Sequence, residues 1–196
     1  MHRTLFLVLA VWLAAAINIG ASGVLARLPV PPPAVALLLT VGLLLTLRAS
    51  PRVRRVVYGL GPAPLVAVHL ARIAAGAYFL VLYRRGVLPA EFAVPAGWGD
   101  IATGIGAAVV LITCVPLRTE RQRLALRVWN GLGLIDILMV LGNGVRLFLR
   151  EPALGVPFTS LPLALLPTML VPAVIVTHLL LFAWSWRSRP DPHVLR

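Results

Sequence analysis

The chain has 196 residues, of which 60% are apolar and 12% charged, and its mean hydropathy is +0.94. A soluble domain carries about 25% charged and about 45–50% apolar residues. The composition excludes a water-soluble globule, a disordered chain and a disulfide scaffold, and it predicts an all-α, polytopic integral membrane bundle.

Net charge is +12, and all eighteen basic residues are Arg. They lie between long apolar runs, not on a basic arm with interleaved aromatics, so no nucleic-acid partner is expected. The lipid bilayer is the expected partner, with cationic loops orienting the chain in it. Arg without Lys, with abundant Ala, Gly, Pro, Leu and Val, points to a GC-rich bacterial genome and to the cytoplasmic (inner) membrane. The single cysteine, Cys114, sits in an apolar run. It reads as a buried structural thiol, and no Cys/His spacing for a metal exists.

Crossing the hydrocarbon core takes roughly 20 apolar residues in a helix. About six such spans are predicted in chain order: 4–25, 33–47, 62–83, 97–117, 128–149 and 163–186. Together residues 1–186 form one helical bundle, and 187–196 form a short cytoplasmic tail. The first span follows Arg3 and also resembles a signal peptide. Apolar character continues to Leu25 without a convincing cleavage site, so an uncleaved helix is the reading taken. With both ends inside, twelve Arg residues fall on inner segments and five on outer loops. The positive-inside rule then places both termini in the cytoplasm. Trp98 falls at the outer edge, and Trp129, Trp184 and Trp186 fall at the inner edge.

Pro157, Pro162, Pro167 and Pro172 recur every five residues. A proline within a helix frees the carbonyl four residues back. The carbonyls of Leu163 and Thr168 therefore need partners from neighbouring helices, Thr168, water or an ion. A packing-fixed kink is preferred over an ion site. There is also an echo between Gly97, Asp100, Ile101, Gly106 and Gly133, Asp136, Ile137, Gly142, which have matching spacing. Common residue types make chance the preferred explanation.

Ionisable residues within spans are costly and usually face the bundle interior. His69, Asp136 and His178 lie roughly 10–12 Å from the inner edge at 1.5 Å per residue, and Arg72 is one turn deeper than His69. Arg72 should pair with Asp136, the acid at matching depth. These four residues form the predicted intramembrane polar site, with Gly76 and Gly133 allowing close helix approach. They are also what a structural clamp would use. A second polar group is expected near the outer face: Arg84, Arg85, Glu91 and Asp100, in and around a loop over 86–97 that either caps an outer vestibule or, more plainly, sits with its charges in water.

Three functions of different classes fit. The first is proton-linked or ion-linked transport of a small solute through the His/Arg/Asp site. Six short helices enclose little space, so a homo-oligomer is expected with it. The second is a non-catalytic accessory or assembly protein. The third is a membrane redox protein with one haem b held by His69 and His178, its propionates reaching Arg54 and Arg55. No phosphate loop, G-x-S-x-G, H-E-x-x-H or dinucleotide fingerprint occurs, so no catalytic residues are assigned and enzymatic activity is the weakest reading.

Overall fold

The computed structural model describes residues 2–187, with side chains described from Phe6 to Trp186, and holds no strand among them. The expected tail lies outside the described residues beyond the backbone of Arg187. Helix α1 (His2–Ala21) ends where Ser22 and Gly23 turn the chain, Gly23 with φ 69°, and a single turn, α2 (Val24–Arg27), follows. Prolines at the first positions start α3 (Pro32–Ala49), because their fixed φ suits a helical first turn. Ser50 caps the short α4 (Pro51–Tyr58), its hydroxyl accepting from the Val53 N–H at 3.3 Å. Then α5 (Pro62–Ala67), a tightened turn at Val68–Leu70 and α6 (Ala71–Arg84) run as one continuous rod.

The next two helices begin earlier than the apolar runs alone imply. Helix α7 spans Ala90–Thr113, so most of the expected 86–97 loop is helical. Pro89, extended at the N-cap, and Glu91 in the first turn mark its true start. Helix α8 spans Glu120–Arg150. Its start is a capping box: the Thr119 hydroxyl accepts from the Gln122 N–H, and the Gln122 side chain accepts from the Thr119 N–H. A hydropathy reading misses such polar first turns. After a 3-10 segment (Pro152–Thr159) and a π turn (Leu166–Leu170), α9 (Val171–Arg187) is the last helix among the described residues.

Five helical segments are long and apolar enough to cross a membrane: Pro32–Ala49, Pro62–Arg84, Ala90–Thr113, Glu120–Arg150 and Leu166–Trp186. Phe6–Ala21 is a shorter apolar helix. The predicted six spans thus correspond to five long apolar helices and one shorter one.

Helix α7 sits between α6 and α8, and glycines set its spacing to both. Gly97 and Gly104, seven residues and so two turns apart, face α6. A Cβ at Gly97 would lie 2.7 Å from the Leu80 side chain, and one at Gly104 would lie 3.0 Å from the Ile73 backbone nitrogen. Gly99 and Gly106, also two turns apart, face α8 and make room for Asp136 and Trp129. Across the first contact, Gly76 of α6 lies against the Gly97 carbonyl and the Asp100 Cβ. Small residues let the backbones approach as they do in membrane helix pairs.

Two proline-freed carbonyls are met by side chains from other helices. Pro172 frees the carbonyl of Thr168, which accepts from the Trp12 indole N–H at 2.9 Å. Pro95 frees that of Glu91, which accepts from Asn143 Nδ2 at 2.7 Å. The Leu163 carbonyl instead takes the Leu166 N–H at 3.0 Å within its own turn. Trp12 thereby ties α1, exposed from Phe6 to Val11, to the π turn before α9.

Two core clusters occupy the two ends of the bundle. At the end where α3 and α7 begin, hereafter the upper end, Phe79, Phe92, Phe148 and Phe158 pack together. At the opposite, lower end lie Val66, Val110, Leu126 and Leu181. A small cluster of Ile137, Val174 and Ile175 sits between them.

Trp12→Phe should leave the Thr168 carbonyl unpaired and cost about 1–3 kcal/mol. Gly76→Ala should force α6 from α7 at a cost of about 1–3 kcal/mol. Gly42→Ala, where a Cβ meets nothing within 4 Å, should be neutral or slightly stabilising. Thermal unfolding in detergent checks the order; a Gly76→Ala protein as stable as Gly42→Ala would overturn the close-contact account.

Candidate functional site

Arg72 opens α6 and has only 1% of its side chain exposed. Each of its nitrogens has a partner. Nε donates to Asp100 Oδ1 of α7 at 2.6 Å, and Nη1 donates to the Gly133 carbonyl of α8 at 3.1 Å. Nη2 donates to Asp136 Oδ2, also of α8. The expected pair of Arg72 with Asp136 is present, but a second acid shares the guanidinium. An Arg keeps its charge in proteins, so a buried one requires such partners.

Asp100 was expected among the outer-face charges and is not there. Because α7 begins at Ala90, Asp100 lies ten residues along it, about 15 Å from the helix start. Its side chain is 6% exposed, against 23% for Asp136. The other three members of that group do lie at the surface. Arg84 and Arg85 are exposed at the end of α6. Glu91 is exposed and faces Arg146 at 3.4 Å, a surface pair of little energetic weight.

Below Arg72 the two histidines meet. The His69 and His178 rings are fully buried, with centroids 4.1 Å apart and planes at 43°. Asn130 fixes His178: its Nδ2 donates to the His178 carbonyl at 3.0 Å, and its Oδ1 pairs with the ring Nδ1 at 2.8 Å. The Thr177 hydroxyl lies within hydrogen-bond distance of the Ala173 and Val174 carbonyls and pairs with His69 Nε2 at 3.2 Å. Trp129 stands edge-on to His69 at 5.2 Å and donates its indole N–H to the Thr103 carbonyl. Trp129, half-buried, packs against the histidines toward the lower end of the bundle, with nine residues of α8 before it. Gly133 leaves room for the His178 ring, since a Cβ there would lie 2.7 Å from Cε1. The two rings are in contact, so a haem between them would require their helices to part. Among the described residues there is no group of three or more His, Cys, Asp and Glu side chains placed to hold a metal ion.

Above Arg72 is a cavity of about 60 Å³, room for several waters at about 10–15 Å³ each. Phe79, Phe92, Phe148 and Phe158 line it together with Pro32, Pro33 and Pro167. Arg72 and Asp100 are the charged residues on its wall among those described. The site is therefore layered: an aromatic cavity, a buried Arg with two carboxylates, then a packed His–His–Trp cluster.

The four predicted intramembrane residues are brought together, around Arg72 and Gly133. Sequence reading missed Asp100, the Gly133 carbonyl, Asn130 and Thr177. One signal could have found Asp100: the matched spacing of Gly97–Asp100 and Gly133–Asp136. Both acids of that echo bind the same Arg.

Charge balance orders the substitutions. Arg72→Gln leaves two buried carboxylates without their cation and should cost about 3–5 kcal/mol. Asp100→Asn and Asp136→Asn each leave one Arg with one acid and should cost much less. Removing both acids should be as damaging as removing Arg72. Folded yield and thermal midpoint of the five proteins test this, and a single Asp→Asn variant as unstable as Arg72→Gln would show that each acid pairs independently.

A family model described as a domain of unknown function, DUF8737, matches residues 29–185. That stretch covers α3 to the last turns of α9 and every residue of the layered site. No curated protein and no solved structure matches the chain. With four fifths of its length matched, the chain belongs to the DUF8737 family.

Proposed function

We propose that this protein crosses a bacterial inner membrane six times, with both termini cytoplasmic, and moves a small solute in a proton-linked manner through the Arg72 site. Five helices have the length and apolarity for crossing. As the sixth we take α1, whose apolar part, Phe6–Ala21, is shorter than the other five. The Arg distribution supports the orientation, which turns the aromatic cavity outward and the His cluster inward.

One observation carries the transport reading. Arg72, with its two carboxylates, lies between a cavity at one end of the bundle and a packed cluster at the other. A binding group with space on one side and a closed barrier on the other is what alternating access requires of one of its states. Acids outnumber the base here by one, so the site can hold or release a proton without stranding the Arg charge. A structural clamp needs one acid to balance the Arg charge and needs no cavity above it.

Two experiments test the proposal. Reporter fusions after Arg55 and Arg123 should read cytoplasmic, and those after Arg85 and Glu151 external; the inverse pattern would reverse the orientation. Proteoliposomes loaded with a pH-sensitive dye should respond when a small organic cation, anion or neutral ring compound is added outside. The response should be lost in Asp100→Asn. A flat trace for all three probe classes would remove transport and leave the accessory reading.

A further inference from the structure

The charge and walls of the cavity specify a ligand class. We infer that it binds a small organic cation carrying an apolar, ring-sized body, in exchange for one proton; this rests on the Arg72 site being the transport site proposed above.

Charge comes first. Arg72 contributes one positive charge, and Asp100 and Asp136 contribute two negative ones when ionised. The other titratable groups packed against this set are His69, one turn before Arg72, and His178 of α9, beside Gly133. Both rings are fully buried against each other and against Trp129, and neither lines the cavity. A net charge inside an apolar bundle is costly, so the set needs one more positive charge. A proton on one carboxylate supplies it when the cavity is empty, and a bound cation supplies it when the cavity is filled. In the exchange a carboxylic acid loses its proton to water and becomes the carboxylate that faces the cation. The net charge of the site stays zero throughout.

An anion is disfavoured by the same geometry. The guanidinium lies at the cavity wall, but its Nε, Nη1 and Nη2 already donate to Asp100, Gly133 and Asp136. An anionic ligand would have to displace a carboxylate from the Arg, or meet two negative charges across it.

The walls supply the second half of the argument. Four Phe rings border the cavity, with neighbouring centroids 5.3–5.5 Å apart for Phe92–Phe158, Phe148–Phe158 and Phe79–Phe92. Ring faces attract cations, and their bodies pack against apolar surface. An inorganic cation would find no oxygen-rich shell here, since hard ions take six or more oxygen ligands. An organic cation with an apolar body satisfies both the walls and the floor.

The test uses purified protein in lipid nanodiscs and two probes of similar size, benzyltrimethylammonium and phenylacetate. Calorimetry in two buffers of different ionisation enthalpy should show saturable binding of the cation with about one proton released. Phenylacetate should bind at least about tenfold more weakly. Asp100→Asn should lose both the cation affinity, by about tenfold or more, and the proton release. Gly144→Ala places a methyl group at the cavity wall, in ordinary contact with Phe92, Phe148 and Pro33, and should lower cation affinity. Comparable binding of phenylacetate, no cation binding, cation binding without proton release, or binding indifferent to both substitutions would each overturn the inference. Counterflow of labelled probe in proteoliposomes separates the two ideas. Cation binding with proton release but without counterflow upholds the ligand class and removes transport. Counterflow of phenylacetate alone upholds transport and removes the ligand class.

Discussion

A charge that cannot be shed, Arg72, sits in the middle of an apolar bundle, and much of the surrounding structure answers to it. Its guanidinium draws one acid from α7, another from α8 and a backbone carbonyl from α8. To bring three groups from two helices onto one side chain, the helices must come closer than ordinary side chains allow. Glycines at the contacts provide that closeness. Gly76 lets α7 approach α6, Gly99 leaves space for Asp136, and Gly133 offers its carbonyl to Arg72 while giving way to the His178 ring. A Cβ at any of these places would move an Arg72 ligand or its support. The α6–α7–α8 packing and the polar site are thus one construction.

Backbone polarity obeys the same constraint. Proline leaves a carbonyl without its helical partner. Trp12 serves the Thr168 carbonyl and Asn143 serves that of Glu91. In each case the donor comes from a distant part of the chain, so the break in one helix becomes a tertiary tie. The kinked stretch before α9 is held in this way on the side facing α1, and its other side borders the cavity through Leu166 and Pro167.

The asymmetry between the two ends of the bundle is the feature on which the proposed transport reading rests. Toward the upper end the walls are aromatic rings around open volume. Toward the lower end the same helices close on touching imidazoles locked by Asn130 and Thr177. Arg72 and its acids form the boundary. A ligand in the cavity therefore meets charge on one side only, and any passage beyond it requires the histidine layer to open.

Composition and hydropathy alone were enough to establish a helical chain with long apolar segments and to single out His69, Arg72, Asp136 and His178, because an ionisable residue within an apolar run stands out without any structure. The pairing of Arg72 with an acid also follows from the sequence, since a fixed charge in such a run must be neutralised. What the sequence left open are matters of register and reach. Asp100 reads as an outer-edge residue if α7 is taken to begin with its apolar run; Pro89 and Glu91 begin it two turns earlier and carry Asp100 to the interior. The edge-on contact of Trp129 with His69 is a matter of reach that no spacing along the chain records. The cavity exists because phenylalanines from α6, α7, α8 and the Pro152–Thr159 segment converge. No pattern along the chain records that convergence, for it depends on how helices distant in sequence are packed, and that was decided by the tertiary structure alone.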